Sequence, residues 1–177
     1  MRIISGELVL RCPEPRDVPQ LYIYRNDTEV TELLGGFSTG YSITDLMEWI
    51  DFHRAKSNEV IWVIADKASD LCLGHVGLYN IDHRIRKAEY AIMIGDKASW
   101  GRGLGSKVSR YVIDYAFDHL NLHRIELEVL SINARAVKLY LKLGFQQEGI
   151  LRDAQYRSGS YIDVVRMGLL EHERNWR

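Results

Sequence analysis

The stretch SWGRGLGSK, Ser99 to Lys107, sets three glycines in five positions directly ahead of an amphipathic run, Val108 to His119. A helix begins with four unpaired backbone N–H groups and a partial positive charge. Glycine-rich backbone leading into one therefore forms a concave set of donors for phosphate oxygens. Gly101, Gly103 and Gly105 carry no Cβ to hold a ligand off, and Arg102 and Lys107 add the positive charge that suits a diphosphate. The spacing G-x-G-x-G is neither the G-x-G-x-x-G of a dinucleotide fold nor a P-loop ending in Lys-Ser/Thr. Taken alone, the stretch serves equally as a phosphate seat or as a tight strand-to-helix turn.

A second group of residues follows about thirty positions later in INARAVKLYLKLGF. Asn133 stands at a strand end, Tyr140 lies in the next helix, and Gly144-Phe145 marks where that helix stops. Ala136, Leu139, Tyr140 and Leu143 also form an i, i+3, i+4, i+7 stripe that faces a core. Upstream, AEYAIMIG alternates as a strand, with Glu89, Ala91 and Met93 on one face and Tyr90, Ile92 and Ile94 on the other.

The elements that must position these residues can be read from periodicity and turn chemistry. A first strand is expected at Glu7 to Cys12, then a helix from Asp17 to about Asn26 and a short helical piece through Leu34. GGFSTGYS, Gly35 to Ser42, reads as a mobile, lid-like loop, and Ser42 with Asp45 as a capping box opening a helix through about Lys56. Strands VIWVIAD and LCLGHVGLY form a hairpin about the turn Lys67 to Asp70. After the glycine stretch and its helix come the strand RIELEVL, a helix from Ala134 to Leu143 capped by Gly144, and the strands FQQEGIL and YIDVVRMGLL. Strand, glycine turn, helix and strand between hairpins imply a mixed α/β sheet with helices on both faces.

Composition narrows the function classes. The chain has 177 residues, 46% of them hydrophobic, which suits one globular domain spanning 1–177. Its 23 basic and 24 acidic residues give no global field for nucleic acid or a membrane surface, and no apolar run approaches a membrane span. Two cysteines, Cys12 and Cys72, make no disulfide framework and suit a reducing, cytoplasmic setting. The six histidines show no metal-ligand spacing, so no metal is expected.

SWGRGLGS followed by NARAVKLYLKLGF resembles the GNAT superfamily of N-acetyltransferases, whose members bind acetyl-CoA at a Q/R-x-x-G-x-G/A turn. The resemblance runs over roughly the whole chain and is strongest from Glu89 to Phe145. It implies a mixed, mostly antiparallel twisted sheet of about seven strands flanked by helices on both faces. The N-terminal LVLRCPEPRDVPQLYIYRNDTEVTELLGG and C-terminal EGILRDAQYRSGSYIDVVRMGLL look most like the branch that acetylates ribosomal-protein N-termini, together with its spermidine-acetylating relatives. Trp100 stands where the general motif has Gln or Arg, as is familiar in the ribosomal branch. Dimerisation is common in that branch.

The resemblance assigns roles residue by residue. The pyrophosphate of acetyl-CoA would lie on the turn of Trp100, Gly101, Arg102, Gly103, Leu104, Gly105 and Ser106, held by the backbone N–H groups from Arg102 onward. The pantetheine arm would run along Ile92, Met93 and Ile94, with Asn133 at its end. The amine attacks the thioester directly, through a tetrahedral intermediate that expels a thiolate. Tyr140 would give that thiolate a proton, since a tyrosine of ordinary pKa, about 10, is still protonated at neutral pH. Glu89 would take the amine's proton, directly or through water. Core packing for Tyr140, and a strand-end ion pair with Arg84, Arg86 or Lys87 for Glu89, are the alternatives.

For the acceptor, Asp45 is the only acid between Leu33 and Leu46, which weighs against a polyamine and towards a protein or peptide α-amine. A small amine such as a polyamine or amino sugar is second. An acetyl-CoA-binding sensor without turnover and a dinucleotide-binding enzyme are the readings from other classes. Arg152, Tyr156, Tyr161 and Asp163 could line the acceptor cleft or be ordinary surface residues of a hairpin.

Overall fold

The computed structural model describes residues 2–35 and 39–176. Part of the expected loop Gly35 to Ser42, residues 36–38, lies outside the described residues. Among the described residues eight strands join in one sheet, ordered β1-β2-β3-β4-β5-β6-β8-β7. They are β1 (Arg2–Ser5), β2 (Leu8–Arg11), β3 (Val60–Asp66), β4 (Cys72–Asp82), β5 (Lys87–Ile94), β6 (Arg124–Leu130), β7 (Gln146–Arg157) and β8 (Ser160–Leu170). Seven of these are the expected strands. The eighth, β1, is a four-residue addition paired antiparallel to β2. Every pairing is antiparallel except β5 with β6.

Period-two alternation sends the side chains of the central strands to two different cores. On one face Leu10, Ile64, Val76, Leu78 and Tyr90 pack under helices α4 (Leu104–Asp114) and α5 (Ala134–Lys142). On the other, Val63, Ala65 and Met93 pack under α1 (Val18–Arg25) and α3 (Ile43–Ala55). A one-turn helix, α2 (Thr28–Thr31), ends sooner than the expected piece through Leu34. Among the described residues no helix is long and apolar enough to cross a membrane.

Local chemistry fixes the ends of these elements. Asp45 N–H donates to the Ser42 hydroxyl and Ser42 N–H to the Asp45 carboxylate, so the capping box at the start of α3 is present. Gly144, at φ +83°, takes the left-handed conformation that closes α5. The start of α1 is held by Arg11, whose guanidinium donates to both carboxylate oxygens of the buried Asp17 at 2.8 and 2.7 Å. Further along α1, the ring of Tyr24 lies directly against Gly95, and its hydroxyl donates to the Cys72 carbonyl at 3.0 Å.

The helix after the glycine stretch differs from the expected Val108 to His119. It begins at Leu104, because Gly103 sits at φ +78° as its N-cap, and it ends in a π-helical turn, Tyr115–His119. Four of the nine residues of the stretch, Leu104, Gly105, Ser106 and Lys107, are thus helical.

Candidate active site

Strands β5 and β6 pair over only three residues, Lys87↔Arg124, Ala88↔Ile125 and Glu89↔Glu126. Beyond them the strands separate, while β5 keeps its other edge bonded to β4 as far as Ile94. Apart from the Ile94 carbonyl, which accepts from the Trp100 indole, the main-chain groups of Tyr90 to Ile94 that would face β6 are therefore offered to a ligand, as an edge strand offers its ladder. The separation opens a cavity on each side of the sheet. Tyr90, Ala91 and Glu128 line both.

The cavity on the side of α4 and α5 has a volume of about 400 Å³ and receives Ile92, Met93 and Ile94 together with Trp100, Gly101, Gly103, Leu104, Gly105 and Ser106. Met93 contributes backbone there, since its side chain is buried in the core beneath α1 and α3. Lys107 N–H makes the first helical bond, to the Gly103 carbonyl at 3.1 Å. The N–H groups of Leu104, Gly105 and Ser106 are thereby left as the unpaired donors of the helix start.

The three glycines act differently. A Cβ on Gly101 or Gly103 would meet nothing within 4 Å, but both sit at φ +78°, which glycine adopts without cost. Gly105 is closely packed, and a Cβ there would lie 3.3 Å from Leu139 Cδ2 and 3.4 Å from Ile94 Cδ1. Arg102 and Lys107 are exposed and are not among the residues lining the groove.

Trp100 ties this turn to β5 through its indole N–H, which donates to the Ile94 carbonyl at 2.8 Å. Arg135 stacks on the Trp100 ring, 5.5 Å from its centroid, and lines the same groove. Sequence reasoning missed Arg135. The signal was its place in the first turn of α5, where a cation opposes the helix dipole unless an anion is near. Leu33 and Leu34, which wall the groove, were also missed.

Asn133 lines the groove too, yet both ends of its amide are committed. Its Oδ1 accepts from Ala136 N–H, capping α5, and its Nδ2 donates to the Leu33 carbonyl, each at 3.0 Å. Arg157, reaching from β7, donates to the carbonyls of Thr31 and Leu34. The Leu33–Leu34 wall is thus tethered from α5 and from the β7–β8 hairpin.

Tyr140 is both a core residue and a groove residue. Its ring packs edge-on against Tyr90 and Phe145, with centroids 6.3 and 5.7 Å away. Its hydroxyl has no hydrogen-bond partner among the described residues, and burial pushes its pKa up to about 12. The neighbouring Tyr90 hydroxyl is engaged with Ser109 at 2.7 Å. Of these two groove tyrosines, Tyr140 is thus the one whose hydroxyl is unengaged.

The cavity on the opposite side, about 350 Å³, is lined by Tyr79, Glu89, Glu126, Glu128 and Arg166. Two of its three carboxylates are neutralised. Glu126 binds Lys87 and Arg124, which hold its carboxyl below the usual carboxylate range, and Glu128 binds Arg166 at 2.7 Å. Glu89 has no ion-pair partner among the described residues. Two of the three partners expected for it are engaged elsewhere, Lys87 with Glu126 and Arg86 with Asn121 and Glu171, and Arg84 makes no ion pair with it. Arg152, Tyr156, Tyr161 and Asp163 line neither cavity at the gap.

Residues 7–146 match the family described as Acetyltransferase (GNAT) domain. The chain is 34% identical to the uncharacterized N-acetyltransferase p20 of Bacillus licheniformis over 97% of both proteins. It is 35% identical to the putative ribosomal N-acetyltransferase YdaF of Bacillus subtilis, over 96% of this chain and 94% of that protein. It also superposes on the spermidine N-acetyltransferase of Vibrio cholerae solved in complex with CoA and spermine. There the TM-score is 0.84 at 30% identity, covering 96% of this chain and 98% of that one.

Proposed function

The chain belongs to the GNAT acetyltransferase family, and on that premise we propose that it moves the acetyl group of acetyl-CoA to a primary amine, the α-amine of a protein or peptide. The observation that carries this reading is the gap between β5 and β6. It joins a cavity holding Tyr140 to one holding Glu89, through Tyr90, Ala91 and Glu128. An exposed β ladder, helix-start donors and Arg135 fit a long ligand with amides towards one end and phosphates at the other. When bound there, acetyl-CoA supplies a thioester as the acetyl donor. Glu89 takes the proton of the incoming ammonium, directly or through water, and Tyr140 protonates the departing sulfur. The single unpaired carboxylate of the acceptor cavity suits an acceptor of one positive charge. Asp45 adds none, because it caps α3 and lines neither cavity. A cytoplasmic enzyme of one domain, residues 1–177, agrees with this acceptor.

A polyamine acceptor is the second reading, favoured by the likeness to the Vibrio cholerae enzyme that holds spermine. Glu89→Gln separates the two. At pH 7.5 an alkyl ammonium of pKa about 10.4 is roughly 0.1% neutral, whereas an α-amine of pKa about 8 is roughly a quarter neutral. Thiol release from acetyl-CoA should therefore fall about 100-fold on spermine and less than tenfold on a hexapeptide with a free α-amine. Whichever probe the wild type prefers names the acceptor class, and undiminished rates on both remove Glu89 as the base.

The donor site has its own test. Gly103→Val forces a β-branched residue to φ +78°, at a cost of about 2 kcal/mol, and sets bulk beside the helix-start donors. CoA affinity measured by calorimetry should drop at least about 30-fold. Unimpaired binding would sink the phosphate seat.

A further inference from the structure

Tyr79 is the one aromatic residue of the acceptor cavity that the mechanism above leaves unused, apart from Tyr90, whose hydroxyl is bonded to Ser109. It faces Glu89 directly across the β4–β5 ladder, so both side chains rise from the same face of the sheet. Its ring does not point away from the gap but folds back along its own strand over Gly77. A Cβ on Gly77 would lie 2.8 Å from Tyr79 Cζ and 2.9 Å from its hydroxyl oxygen. Gly77 in turn pairs with Ala91, the small residue common to both cavities. The fold thus keeps a glycine where any side chain would displace a phenol, and the phenol's oxygen comes to lie beside the passage between donor and acceptor sides.

We infer that the Tyr79 hydroxyl is an acceptor-binding group: it accepts a hydrogen bond from the incoming primary amine and holds that nitrogen between Glu89 and the passage at Ala91. The inference rests on the amine-acceptor reading above and deepens it. The Tyr79 hydroxyl has no hydrogen-bond partner among the described residues, so it has lone pairs to offer an N–H donor. Burial raises its pKa to about 12, which keeps it neutral and avoids adding a second anion beside Glu89. The ring is steadied from the other side by His53, edge-on with centroids 5.8 Å apart, and His53 is itself held by Glu59. This cavity recognises a primary ammonium by one carboxylate and one neutral oxygen, rather than by a row of carboxylates.

The test compares wild type, Tyr79→Phe and Gly77→Ala in thiol-release kinetics, with spermine and the α-amine hexapeptide as probes. Tyr79→Phe keeps the ring and removes the hydrogen bond. The acceptor KM should rise roughly tenfold to 100-fold, with kcat within twofold and the acetyl-CoA KM unchanged. Gly77→Ala should give the same one-sided rise with the hydroxyl chemically intact, because the ring must leave its place. An acceptor KM within twofold of wild type in Tyr79→Phe, or equal rises in both KM values, overturns the assignment. A wild type that releases thiol with neither probe overturns the acceptor reading, and this one with it. Turnover by wild type alongside an unaltered Tyr79→Phe removes Tyr79 alone.

Discussion

Tyr140→Phe should lower kcat by about 10³-fold while CoA affinity and thermal stability stay close to wild type. General acids contribute roughly 10² to 10⁴ in rate, and this one would act on a thiolate leaving into a mostly apolar groove. The ring itself would remain between Tyr90 and Phe145, and the deleted hydroxyl leaves no unsatisfied protein group behind. The pH profile supplies a second readout. A group that must be protonated to work loses activity as pH rises through its pKa, and burial sets that point at about 12. Wild-type kcat should accordingly show no descending limb near pH 10, and the Phe variant should sit below it by a constant factor. An unchanged kcat would remove Tyr140 as the acid, and a large fall in melting temperature would return it to packing alone.

Gly95→Ala should destabilise the protein by about 3 kcal/mol, the upper part of the range for overpacked cores. The new Cβ would lie 2.0 Å from Tyr24 Cγ, 2.3 Å from Cδ2 and 2.5 Å from Cβ, distances at which something must move. Tyr24 cannot swing aside cheaply. It is 8% exposed, and its hydroxyl is bonded to the Cys72 carbonyl. For a chain of this size the loss corresponds to roughly 6 to 12 °C in melting temperature by calorimetry. Gly95 directly follows Ile94, so α1 would be levered away from the end of β5 where the glycine turn departs. A melting temperature within about 2 °C of wild type would mean that α1 repacks freely over the sheet.

Much of the frame was legible because alternation and turn chemistry are local. Seven strands, the Ser42–Asp45 box and the Gly144 cap follow from residues within a few positions of one another. The strand β1 was not legible, since Arg2–Ser5 is short and is a strand only through its partner β2. The start of α4 was misplaced because glycines at Gly103 and Gly105 argue against helix, whereas a left-handed Gly103 permits one to begin. In the candidate site, the motif picked out the glycine turn, Asn133 and Tyr140, which line one cavity, but not what they touch. The tie from Asn133 to Leu33 spans 100 positions, and that from Arg157 to Thr31 spans 126. Glu89 stands unpaired because the parallel register lets Glu126 capture Lys87, which no pattern within β5 reveals.

That three-residue parallel pairing also limits how the enzyme can change over time. Its end point makes Glu89 the last residue of β5 paired with β6 and leaves five residues beyond it, about 16 Å at the usual strand rise, without a strand neighbour on that side. A single-residue insertion before Glu89 would exchange the two faces of β5, carrying the carboxylate to the donor's side and Tyr90 out of its core. Loops and the residues around the acceptor cavity can drift towards new amines, but the register of this strand is a coordinate that chemistry and packing hold in common. Lineages with different acceptors can be expected to share it unaltered.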